Sequence, residues 1–277
     1  MSQVKHFSTS SNASAVFQHL KADGVVVIEG AATRQSIDNS MAEIGETSGG
    51  DTFGLAARSP TLAQDLLMNP LYLDIADRVL TDTSIIYYEK ERTVSTSAPQ
   101  VSQTSIITAK PGSMPWGLRR QGQCHHIVHP AKREADVGIL YAATDITTEN
   151  GAIRVVVGSN HWTDDRDPLH EDETLVELRK GDAIICLGSV YYGQASNKSD
   201  KARVLLRAFS TPGYRRQEEN QYLAVPWEVA EKYPTEVQRF LGYSVSRPYG
   251  GAVEHMEPLD FLKVKGDWTK YIPVDLI

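Results

Sequence analysis

The chain has 277 residues, 41% hydrophobic and 23% charged, an ordinary globular composition long enough to bury a large core. Its net charge of −7 argues against nucleic acid as partner, because binding a phosphate backbone needs clustered Lys and Arg. No apolar run approaches the roughly 18 residues of a membrane span, and Met1-Ser2-Gln3-Val4-Lys5-His6 has no apolar signal-peptide core, so a soluble, cytoplasmic protein is expected.

Ala13 to Ala22 is predicted as a helix, with Val16, Phe17 and Leu20 on one face and Asp23-Gly24 as its stop. Val25 to Ile28 is a β-branched run closed by Gly30, hence a strand. A helix follows over Arg34 to Ile44, then a loop over Ser48 to Thr52. Pro60 to Leu80 spaces Leu62, Leu66, Leu67, Leu71, Ile75 and Val79 for a buried helical face, and Pro70 is expected to break it in two. From there the pattern turns to short strands: Ser84 to Tyr88, Thr104 to Thr108, Asp136 to Ala143, Ala152 to Val157, Ala183 to Leu187 and Arg203 to Ser210. Such a series, punctuated by turn residues, implies a sandwich or barrel. Pro226 to Leu241 returns to helix, with Pro234 dividing it.

Cys124 and Cys186 are the only cysteines, expected as reduced thiols and too few for a four-ligand zinc finger. The densest cluster of candidate ligands is Cys124-His125-His126-Ile127-Val128-His129. One reading makes His125, His126 and His129 a metal site, with Cys124 or Asp136 in support. The other makes them loop residues bonded to backbone or water, since adjacent histidines do not readily face one ion.

Three strings, in order and spacing, resemble the phytanoyl-CoA dioxygenase-like family of Fe(II)/2-oxoglutarate-dependent oxygenases, in particular its fungal meroterpenoid-type members. They are Glu149-Asn150-Gly151-Ala152-Ile153-Arg154-Val155-Val156-Val157-Gly158-Ser159-Asn160-His161-Trp162, then Gly188-Ser189-Val190-Tyr191-Tyr192-Gly193-Gln194-Ala195-Ser196-Asn197, then Arg216-Gln217-Glu218-Glu219-Asn220-Gln221-Tyr222-Leu223. The resemblance implies a mainly β (α+β) fold, a double-stranded β-helix of jelly-roll or cupin type with flanking helices. The whole chain is then one domain: a helical N-terminal part over about 1–82, a barrel over about 84–215, and C-terminal helices and tail over about 216–277.

The family's chemistry rests on a His-x-Asp pair and a distal His, which hold one face of Fe(II) and leave the other for 2-oxoglutarate and O₂. The pair falls in a segment resembling Pro-Gly-Ser, about four residues, then Leu-His-Arg-Asp. Pro111-Gly112-Ser113 to Leu118-Arg119-Arg120-Gln121 keeps that spacing, so Arg119 takes the His place and Gln121 the Asp place. In the string resembling Val-Tyr-His-Gly, Tyr192 takes the place of the distal His. Arg has no lone pair to give, an amide is a weak stand-in for a carboxylate, and a neutral phenol ligates iron poorly. Trp116 stands about where the family has a Gln for 2-oxoglutarate. Arg203, eleven positions after Tyr192, matches the family's Arg for the distal carboxylate of 2-oxoglutarate, or pairs with an internal carboxylate.

These replacements imply an oxygenase-like subunit without iron or co-substrate of its own. It would form a heterodimer with a homologous, iron-competent dioxygenase that holds the Fe(II) and 2-oxoglutarate and acts on a terpenoid small molecule in secondary metabolism. The alternative is an active enzyme on such a molecule. It would be either a metal-independent isomerase or cyclase using Tyr192 or Arg119, or a dioxygenase with its metal at His125, His126 and His129. A third reading is a small-molecule binding protein.

Overall fold

The computed structural model describes residues 3–46 and 51–264. Ser48 to Gly50 of the expected loop, and the tail after residue 264, lie outside the described residues. The strands are β1 (Lys5–Ser8), β2 (Val25–Glu29), β3 (Thr52–Phe53), β4 (Asp82–Tyr88), β5 (Glu91–Ser97), β6 (Pro99–Ala109), β7 (Trp116–Arg119), β8 (Val137–Ala142), β9 (Ile153–Val155), β10 (Thr174–Val176), β11 (Ala183–Leu187), β12 (Tyr192–Gln194) and β13 (Arg203–Pro212). The α-helices are α1 (Ala13–Asp23), α2 (Arg34–Ile44), α3 (Leu55–Arg58), α4 (Pro70–Leu80), α5 (Gln221–Ala224), α6 (Trp227–Ala230), α7 (Thr235–Phe240) and α8 (Pro258–Val264).

A seven-stranded sheet runs β1-β2-β11-β8-β13-β6-β3, and a four-stranded sheet runs β10-β9-β12-β7. These are the two faces of a jelly roll, with helices covering the outer face of the larger sheet. The strand period of two explains the apolar runs in the larger sheet, because both of its faces are buried. In β2, Val25 and Val27 face the barrel interior while Val26 and Ile28 meet the helices. In β13, Leu205 and Phe209 face inward and Leu206 and Ala208 outward. Full burial of each Leu, Ile or Phe contributes about 1.5–3 kcal/mol, so the two apolar layers hold the fold.

The helix ends follow capping chemistry. Asn12 accepts from Ser14 N at 2.8 Å to open α1, and Gly24 closes it in the left-handed region at φ 76°. Any Cβ at Gly24 would lie 2.8 Å from Asn160 Oδ1, so close packing as well as φ requires glycine there. Pro70 is the first residue of α4, capped by Asn69, and does break the preceding pattern, which is a π-helical turn over Leu62–Leu66. The C-terminal segment is likewise divided at Pro234 into α6 and α7. Among the described residues, no helix is long and apolar enough to cross a membrane.

One expected element moves. Ser84 to Tyr88 belongs to no barrel sheet but to a separate two-stranded hairpin, β4–β5. A β-branched run marks a strand; it does not say which sheet the strand joins.

Candidate functional site

The site lies where β12 and β7 pair in the smaller sheet. Tyr192 stands directly opposite Arg119 and Gln194 opposite Trp116. Gly193 permits this approach, since a Cβ there would lie 2.8 Å from the Trp116 carbonyl oxygen. After β7 the chain enters a 3-10 turn over Gln121–His125, fixed by Gln121 N donating to Gly188 O at 2.9 Å. Strand and turn together bring Gln121 beneath Tyr192.

The Tyr192 hydroxyl donates to Gln121 Oε1 at 2.6 Å, and Gln121 Nε2 donates to Glu218 Oε2 at 2.6 Å. Arg207 NH1 donates back to the Tyr192 hydroxyl at 3.4 Å, while Arg207 Nε donates to Ser105 Oγ at 3.0 Å. Tyr192 and Gln121 are buried. Burial pushes the phenol's pKa up, and Arg207 only partly opposes this, so it is a neutral phenol at neutral pH. Arg119 is exposed, its guanidinium 5.7 Å from the Trp116 ring centre, yet near enough to Tyr192 to lower the phenol's pKa somewhat. The three sequence-predicted positions therefore come together. They offer a guanidinium, an amide and a neutral phenol already engaged in hydrogen bonds, and such a donor set does not fit a ferrous ion. A pocket lined by Ile107, Trp116, Arg119, Leu140, Tyr192 and Arg207 among others is about 10 Å³, room for one water molecule.

Arg203 is fully buried and, by strand period, points the same way as Leu205 and Arg207, into the barrel. Its NH2 donates to Gln194 Oε1. Neither Nε nor NH1 meets an acceptor among the described residues. Burial first, then the charge of Arg207, lowers its pKa to about 10. Its partner is thus an amide and not the internal carboxylate that the sequence left open.

The histidines disperse. His125 Nε2 lies 3.6 Å from Asp136 Oδ1, at the edge of an ion-pair contact. His126 is exposed in the left-handed region, at φ 53°. His129 is buried, its Nδ1 2.8 Å from Asp164 Oδ1, and burial outweighs that carboxylate to lower its pKa. Cys124 is exposed, yet partial desolvation of its thiol and the carboxylates of Asp136 and Glu218 push its pKa up to about 11, so it is a poor thiolate. Among the described residues, no group of three His, Cys, Asp or Glu side chains is placed to hold a metal.

Sequence reasoning missed four contributors. Arg207 could have been found, since it lies four residues along the strand from Arg203 and shares its face. Gln194 had the same signal from Tyr192. Glu218 had no local signal, because its contact spans 97 positions. Arg120 is buried and pins the loops: Nε donates to Ser189 O at 2.8 Å, NH2 to Trp162 O at 3.0 Å, and its guanidinium stacks 4.3 Å from the Tyr191 ring centre.

Residues 20–205 match the family Phytanoyl-CoA dioxygenase (PhyH). Dioxygenase cnsJ of Penicillium expansum is 31% identical over 263 residues, covering 87% of this chain and 79% of that protein. Dioxygenase peniF of Penicillium patulum is 30% identical over 218 residues, 76% of this chain and 71% of that one. The structure resembles the non-heme alpha ketoglutarate dependent carbocyclase SnoK from nogalamycin biosynthesis, with TM-score 0.56 at 15% identity over 74% of this chain and 86% of that chain. At that identity the likeness is one of fold.

Proposed function

The chain belongs to the phytanoyl-CoA dioxygenase family, and from that premise we propose that it is an oxygenase-like subunit that has lost the family's iron site. It pairs with a catalytically competent Fe(II)/2-oxoglutarate-dependent relative and stabilises it. The pair acts in secondary metabolism, on a meroterpenoid-type substrate. Fe(II) and 2-oxoglutarate belong to the partner, and this chain holds neither.

The observation that carries the reading is the Tyr192 hydroxyl donating to Gln121 Oε1 at 2.6 Å. Where two ligands of an iron triad would each turn a lone pair to a common ion, these side chains turn to one another. Arg119, opposite Tyr192, would add a positive charge beside a dication. The pocket beside Trp116, Arg119, Tyr192 and Arg207, about 10 Å³, is too small for a dicarboxylate, which supports the loss of a co-substrate place at these three positions. What such a fold retains is a surface, and a partner that binds only the folded forms stabilises both by mass action.

Co-expression with an intact paralogue from the source genome, one keeping His-x-Asp and the distal His, tests this reading. The expected outcome is a 1:1 complex on size exclusion, with higher melting temperature and turnover for the paralogue than it shows alone. Separate elution with unchanged paralogue activity refutes it.

A further inference from the structure

On the helix side of the larger sheet, α1, α4 and the loop over 130–134 frame a pocket of about 380 Å³. Its floor is apolar. Phe17, Val79, Leu80 and Leu187 line it, and all four pack in the layer between helices and sheet. Its rim is basic. Lys21, Arg78, Lys132 and Arg133 are exposed around it, with Asp82 and Glu134 as the carboxyls among them. The walls are pinned: Asn160 Nδ2 donates to Lys21 O at 3.1 Å, Arg133 NH1 lies 2.7 Å from Asp82 Oδ1, and Ser189 Oγ donates to Glu134 Oε1 at 2.6 Å. A pocket held in shape this way loses little entropy when it takes a ligand.

The charges do not balance. Arg133 is engaged with Asp82, and Arg78 with Asp74 one turn before it in α4. Lys21 and Lys132 pair with no carboxylate among the described residues. Lys21 stands in the last turn of α1, as Arg78 does in α4, and both suit a negative helix end. Lys132 and Arg133 lie in a loop, so no helix end accounts for them. Counting Asp74, four cations face three carboxyls, an excess of one on a chain whose net charge is −7. Such a local reversal of sign over an apolar floor draws an anion with an apolar body.

We propose that this pocket binds one small monocarboxylate with an aliphatic body, its chain on the apolar floor and its carboxylate between Lys21 and Lys132. Size and charge select that occupant. One turn of a peptide helix is about 10 Å across and 5.4 Å long, roughly 400 Å³, more than the pocket holds. The volume instead falls at the small end of ligand pockets, about 300–1,000 Å³. A phosphate monoester carries nearly two negative charges and favours an arginine fork. Here the Arg133 fork faces Asp82, and an excess of one positive charge is balanced by a monoanion. The site uses none of the residues around Tyr192 and does not depend on the pairing reading.

Calorimetric titration of the full chain with decanoate tests the proposal. One equivalent is expected to bind, and each methylene removed on the way to octanoate is expected to weaken it by up to about fourfold. Decanol and decylammonium keep the body and lose or reverse the charge, and are expected to bind roughly tenfold more weakly or worse. Lys21→Gln with Lys132→Gln, both at exposed positions, is expected to keep the wild-type circular dichroism and melting temperature, to weaken decanoate by roughly tenfold, and to leave decanol unchanged. Equal binding of decanoate by wild type and the folded double variant overturns the proposal. Decanol matching decanoate on the wild-type chain, uptake of several equivalents without saturation, or no binding at all overturns it without any variant. Decyl phosphate binding more tightly than decanoate assigns the pocket to a dianion and likewise overturns it.

Discussion

Replacing Arg119 by His, Gln121 by Asp and Tyr192 by His together is expected to raise bound iron from background to about one Fe(II) per chain. The geometry supports this because the three positions are already neighbours. Tyr192 and Arg119 are opposed across β12 and β7, and Gln121 meets the Tyr192 hydroxyl at 2.6 Å. Shortening Tyr192 to an imidazole frees the volume its ring fills, and removing the Arg119 guanidinium removes the nearest exposed cation. Single replacements are expected to give no stoichiometric iron, since one imidazole or one carboxylate holds Fe(II) weakly. Arg207, now 3.4 Å from the phenol, stays beside the rebuilt site and weakens the affinity without abolishing it. Metal analysis after anaerobic loading reads the outcome. A folded triple variant that gains no iron would mean the three side chains do not share a focal point.

Glu173→Gln is expected to destabilise the fold by about 3 kcal/mol at pH 7, the lower end for breaking a buried ion pair because Arg154 keeps some access to water. Arg154, in β9, donates through Nε to Glu173 Oε2 at 2.6 Å and through NH1 to Trp116 O at 3.0 Å. One guanidinium thus ties the segment entering β10 to β7, across the sheet that carries Tyr192. Glutamine leaves that charge facing an amide inside the protein. Burial is the largest influence on the Glu173 carboxyl and pushes its pKa up, but the hydrogen bond and charge of Arg154, with His170 in support, bring it below the ordinary 4.5. A carboxyl held below its unfolded value contributes stability above 4.5 and loses it as pH falls through the lowered native value. The gap between wild type and Glu173→Gln should therefore be full at neutral pH and close in acid. Urea unfolding at several pH values checks it, and a pH-independent gap would contradict the ion-pair origin.

The sequence made the core legible wherever periodicity was long. Val25 to Ile28 and Ala183 to Leu187 read as strands because both of their faces are apolar, and the break at Pro70 was legible because the effect of the proline ring on a helix is local. β7 and β12 escaped notice. They are short, contain Gly117 and Gly193, and exist through pairing with each other and with β9. The resemblance singled out Arg119, Gln121 and Tyr192, and the structure places these three positions side by side. Composition could not show that Tyr192 and Gln121 would bond to one another, nor that Glu218 would arrive from 97 residues away to hold the amide. The three histidines drew attention by their density in sequence, but turn geometry sends His125 toward Asp136 and His129 toward Asp164.

The most direct measurement is Fe(II) titration of the purified wild-type chain under anaerobic conditions, with a 2-oxoglutarate consumption assay on the same sample after air is admitted. The expected result is no stoichiometric iron and no consumption until the intact paralogue is added. One iron per chain, with 2-oxoglutarate consumed by the chain alone, would contradict the loss of the metal site.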